Sequence, residues 1–150
     1  MKLAEALAQR ADLQKRVEQL KARLKNNAWV QEGDAPAEEP EALLRELTAL
    51  NGQLEELITR INLTNAQPLP EGGTLTALLA RRDCLSGYTA AVRDFLDEAS
   101  RTPVRAARGE IKILPTVSVK EYRKKADDLS KELRELDMRI QQLNWTCDLK

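Results

Sequence analysis

The sequence predicts an all-α fold, a bundle of four long antiparallel helices arranged as two helical hairpins within one domain spanning 1–150. Three observations carry that prediction. All six prolines fall in three clusters, Pro36 and Pro40, Pro68 and Pro70, Pro103 and Pro115, which cut the chain into four proline-free stretches. Each stretch repeats apolar residues at alternating steps of three and four, the period of a helix that buries one stripe. Ala, Glu, Leu, Lys and Arg make up more than half of the 150 residues, while only five are aromatic, so leucine and alanine must build the core.

The first helix is expected at about 3–25. Leu3, Ala6, Arg10, Leu13, Val17, Leu20 and Leu24 form a heptad seam with one arginine in it, and Asn26-Asn27 ends it. The second, about 40–61, opens with Glu38, Glu39 and Glu41 around Pro40, acids and a proline where a helix N-terminus favours them. Its seam is Leu43, Leu47, Leu50, Leu54, Leu57 and Ile61. The third, about 74–100, follows Gly72-Gly73 with Thr74 as N-cap. Leu75, Leu78, Arg82, Leu85, Thr89, Val92, Leu96 and Ala99 make its seam, and Cys84, Tyr88, Ala91 and Phe95 make a neighbouring stripe, so this helix is expected to pack on two sides. The fourth, about 118–143, begins with the capping box Ser118-Val119-Lys120-Glu121 and carries Tyr122, Ala126, Leu129, Leu133, Leu136, Ile140 and Leu143. Helices of about 22–26 residues are roughly 33–39 Å long, and connections of this length favour antiparallel neighbours. Within the longest connection Glu110-Ile111-Lys112-Ile113 alternates, which adds a short β-ribbon around 104–117 to the expectations. Leu3, Leu7, Ala8 and Arg10 match Leu75, Leu79, Ala80 and Arg82 at a constant offset. In so leucine-rich a chain this reads first as chance, and second as duplication of a hairpin.

No histidine is present. Ser-His-Asp and Cys-His catalysis and histidine metal sites are therefore excluded. The acidic residues Asp94, Asp97, Asp127, Asp128, Glu132 and Glu135 are interspersed with cations and read as solvated helix faces. Gly72-Gly73 lacks the pattern of a phosphate-cradling loop. Cys84, next to Asp83 and near Arg81, has no base to activate it and reads as a small packing residue. The expectation is of no enzyme, no catalytic residue, no metal and no cofactor.

Glu5 and Arg10 interrupt any apolar leader, no run approaches a membrane-spanning length, and Cys84 and Cys147 make no Cys-x-x-Cys; together these predict a cytoplasmic protein with free thiols and no membrane association. Net charge is zero, but its distribution is not even. Arg101, Arg105, Arg108, Lys112, Arg123, Lys124 and Lys125 make 101–125 strongly basic, and 32–46 is correspondingly acidic. The basic stretch is a candidate surface for an oligomeric interface or for nucleic acid and other polyanions. Only Tyr122 offers stacking there, so assembly is the favoured reading and nucleic acid the alternative. Arg10 and Arg82 fall on apolar seams, where each either pairs with an acid such as Asp12, Asp83 or Asp137 and sets register, or carries its charge out to solvent. Trp29 and Trp145 lie at or beyond helix ends and are candidate interface anchors. The partner expected is the chain itself, as a dimer or larger homo-oligomer.

Several short strings, Lys2-Leu3-Ala4-Glu5-Ala6-Leu7, Asn26-Asn27-Ala28 with Val30-Gln31-Glu32-Gly33, Arg60-Ile61-Asn62-Leu63-Thr64-Asn65, Ala80-Arg81-Arg82-Asp83, Arg108 to Ile113 and Asn144-Trp145-Thr146, are spread over nearly the full chain. In these the sequence resembles a family of short bacterial coiled-coil proteins, some of which bear the name septicolysin. The resemblance implies a helical coiled-coil protein and brings no established activity. The cytolysin in that name would require an export route and a membrane-active segment, and neither is read in these residues.

Overall fold

The computed structural model describes residues 1–101 and 112–150. The fold is all-α, with helices α1 (Leu3–Asn26), α2 (Pro40–Asn65), α3 (Leu75–Ser100) and α4 (Val119–Thr146). Among the described residues there is no named strand, only an isolated antiparallel bridge between Lys2 and Asp148. The part of the expected ribbon over 104–111 lies outside the described residues, and 112–117 is not strand. The chain divides into two compact units, Met1–Gly72 with Gln142–Lys150, and Gly73–Gln141.

In the first unit α1 and α2 form an antiparallel hairpin, facing each other at Gln9, Asp12 and Arg16 on α1 and Gln53, Glu56 and Arg60 on α2. Leu3, Ala6, Leu13, Val17 and Leu20 of α1 are buried with Leu43, Leu50, Leu57 and Ile61 of α2. Asn27 ends α1 through its side chain, donating from Nδ2 to the Arg23 carbonyl (2.9 Å) and accepting at Oδ1 from the Glu38 N–H (2.9 Å). Pro40 occupies the first turn of α2, where a missing N–H costs nothing. Both α2 and α4 run longer than their apolar seams. In α2 the next heptad position after Leu57 is Thr64, buried because its hydroxyl donates to the Arg60 carbonyl (2.8 Å).

Residues 142–150 complete this unit by backbone pairing. The Leu3 N–H donates to the Cys147 carbonyl (2.9 Å) and the Leu149 N–H to the Met1 carbonyl (2.9 Å). Lys2 Nζ pairs with Asp148 (2.8 Å), which holds the Asp148 carboxyl below its ordinary range, first by that hydrogen bond and then by the charge. Further along, the Lys150 N–H donates to Thr64 Oγ1 (3.0 Å), and Arg60 Nε donates to the Lys150 carbonyl (2.7 Å).

The second unit is the hairpin of α3 with α4 as far as Gln141. Gly72 and Gly73 both take positive φ (92° and 75°), which leads the chain into Thr74, whose Oγ1 accepts from the Ala77 N–H (3.1 Å) and caps α3. Ser118 caps α4 in the same way, accepting from the Glu121 N–H (3.3 Å). Val92, Leu96 and Ala126 form a core cluster, with Val119, Tyr122 and Leu129 packed against it. Two polar positions belong to this unit's interior. Thr89 donates to the Leu85 carbonyl (2.7 Å), and Ser130 donates to the Ala126 carbonyl (2.7 Å) while accepting from Arg93 Nη2 (2.6 Å). Among the described residues one stripe of α3 is covered, and Cys84, Tyr88, Ala91 and Phe95, expected to pack, are exposed.

Candidate interaction face

Positions 84, 88, 91 and 95 recur at helical spacing, so α3 presents them as one stripe beside its buried seam. Tyr88 is 50% exposed and Phe95 42%. The antiparallel register of the hairpin brings α4 residues against this stripe. The Phe95 and Tyr122 rings meet edge to face, with centroids 5.5 Å apart and planes at 61°. Lys125 Nζ lies 5.6 Å from the Tyr88 ring centre and 5.5 Å from that of Tyr122, within cation–π range of both. The Lys125 ammonium is held above the ordinary lysine range, chiefly by the Tyr88 side chain beside it.

Beside the aromatic centre lie charges of both signs. Glu121, Lys124, Lys125, Asp128 and Glu132 line an open groove of about 410 Å³ floored by Leu129, and Arg81 reaches over from α3 to Glu132 (2.7 Å). An apolar aromatic centre with a rim of both signs is the anatomy of a protein interface. Glu121 and Asp128, which flank Lys124 and Lys125 in the sequence, line the same groove, so the basic run is bounded by acids on the helix face.

The remaining candidates are dispersed. Arg105 and Arg108 lie outside the described residues. Arg101 pairs with Glu98 (3.3 Å), Lys112 is exposed after the undescribed segment, and Arg123 is exposed on α4. In the acidic stretch Glu38 is engaged by Arg23, whose Nε donates to Oε2 (3.0 Å). That contact holds the Glu38 carboxyl below its usual range and raises Arg23. Arg82 is half-buried and donates from Nε (3.0 Å) and Nη2 (2.8 Å) to its neighbour Asp83. Arg10 is half-buried, with its Nε out of solvent and without a hydrogen-bond partner among the described residues. Trp29 is 90% exposed and Trp145 64%. Trp29 follows the C-terminal end of α1, while Trp145 sits in the last turn of α4, whose following residues pair with the N-terminal end of α1; the two are not one anchor. The sequence reading missed that Tyr88 and Phe95 join Tyr122 and Lys125. The signal was present as the second stripe on the third helix, but the register that joins it to the fourth helix was not. No helix among the described residues is long and apolar enough to cross a membrane.

Residues 10–149 match the model of a family of unknown function (DUF6847). The crystal structure of a functionally unknown conserved protein from Corynebacterium diphtheriae is similar across its length. It is 44% identical, the match covers 100% of this chain and 99% of that one, and the TM-score is 0.87. No curated protein matches the chain.

Proposed function

The chain belongs to this family of unknown function, and we propose that it acts without catalysis, as a self-associating helical structural or interaction protein of the bacterial cytoplasm, in keeping with its resemblance to the septicolysin-named coiled-coil proteins. The observation that carries the reading is where the aromatic residues lie. Trp29, Tyr88, Phe95 and Trp145 are exposed, in a chain with just five aromatics and a leucine core that leaves them out. Such side chains bury about 150–250 Å² each when covered and dominate interface energies, so a second surface that covers them gains most from these positions. Light scattering across a dilution series tests it, with a mass above the 16.9 kDa of one chain expected at micromolar concentration. A mass equal to one chain throughout that range would end the reading.

A second reading has its own observation. Tyr88 and Phe95 beside Tyr122 supply stacking groups next to Lys124 and Lys125, which favours polyanion binding more than the linear sequence does. Its test is binding of single-stranded DNA that falls steeply as salt rises, the signature of counterion release.

A further inference from the structure

Resting on the self-association reading, we infer that the partner of the Tyr88–Phe95 face is the same face of a second copy, related to it by a twofold axis. A twofold contact brings a surface against itself, so the surface must be complementary to itself in charge, in shape and in extent.

The charges meet that condition. Along α4 two cations, Lys124 and Lys125, lie between acids, Glu121 on one side and Asp128 and Glu132 on the other, and Arg81 of α3 pairs with Glu132, so the face carries both signs with no net surplus. A face built to hold a polyanion would carry a surplus of cations and would not bound them with carboxylates. The shape meets it too. Tyr88 and Phe95 are large and exposed, while Cys84, Gly87 and Ala91 beside them on the same helix are small and leave lower ground. Gly87 is notable because a Cβ there would meet nothing within 4 Å, so no close approach inside the chain calls for glycine. In mid-helix glycine is less favourable than alanine. Each copy thus supplies both projections and the hollows that receive them. The extent suits a reversible contact: over 81–95 of α3 and 121–132 of α4 the helices run roughly 22 and 18 Å at about 10 Å width, on the order of 400 Å² per copy, the size of a weak, concentration-dependent interface.

The test uses the whole chain and separates this face from self-association as such. Sedimentation of the unmodified chain should give twice the mass of one chain. Combining Tyr88→Glu with Phe95→Glu should give single chains with unchanged helical circular dichroism. Two charge variants at exposed positions provide an independent arm. Glu121→Lys with Asp128→Lys makes the face cationic, and Lys124→Glu with Lys125→Glu makes it anionic. Each alone should raise the dimer dissociation constant roughly tenfold or more, and mixing the two should restore a dimer containing one of each. A wild-type dimer that all these variants leave intact overturns the face while self-association stands. A wild-type chain that stays single at micromolar concentration overturns both. A single chain that binds single-stranded DNA, more tightly as the cationic variant and not at all as the anionic one, overturns the face in favour of the polyanion.

Discussion

Replacing Leu50 with alanine should destabilise the α1–α2 hairpin much more than the same replacement at Leu54, one helical turn away on the same seam. The sequence treats the two alike. In the fold Leu50 is 4% exposed, whereas Leu54 is only half-buried. Leucine to alanine removes three carbons, worth about 0.8 kcal/mol each when fully buried, and leaves a cavity, so a cost of about 3 kcal/mol is expected at Leu50. At Leu54 solvent already reaches part of the side chain and can fill the space left, which halves the figure to about 1.5 kcal/mol. For a chain of this size, each kcal/mol lowers the melting temperature by about 2–4 °C. Scanning calorimetry should therefore give shifts of about 6–12 °C and about 3–6 °C, measured at one fixed protein concentration because association raises the apparent midpoint. Equal shifts at the two positions would refute the assignment of burial along α2.

Thr74→Ala removes the side-chain acceptor for the Ala77 N–H and should cost about 1 kcal/mol in urea unfolding, with Thr74→Ser retaining most of the stability. Glu38→Gln tests the Arg23 contact through pH. The Glu38 carboxyl is held below its unfolded range, so its contribution is fully present above the unfolded carboxylate range and is lost as pH falls through the lowered folded value. The gap in urea midpoint between wild type and Glu38→Gln should thus be widest near neutral pH and close in acid; a gap that persists unchanged in acid would contradict the ion pair.

The helices were legible because every one combines a seam of period three and four with an end signal: Asn26-Asn27, Pro40, Thr74, Ser118. What the seams misjudged is instructive. Thr64 and Ser130 occupy buried helix positions although they are polar, since a hydroxyl that donates to the carbonyl four residues back satisfies itself within the helix. An apolar-only seam stops at Ile61 for that reason, and α2 continues to Asn65. Leu69, between two prolines in a connection, is nevertheless buried. The pairing of residues 147–149 with Met1 and Leu3 runs through backbone groups, which every residue carries, so no side-chain pattern announces it. The candidate face was half legible. Its stripe on α3 follows from spacing, but its meeting with Tyr122 and Lys125 depends on how α4 registers against α3, a three-dimensional quantity that the connecting segment sets.

Hydrogen–deuterium exchange on the unmodified chain, compared between dilute and concentrated samples, addresses the central claim most directly. Association through the α3–α4 face predicts slower exchange at high concentration in peptides covering 81–95 of α3 and 121–132 of α4. Exchange that is independent of concentration everywhere, or protection that appears only around Trp29 or Trp145, would contradict it.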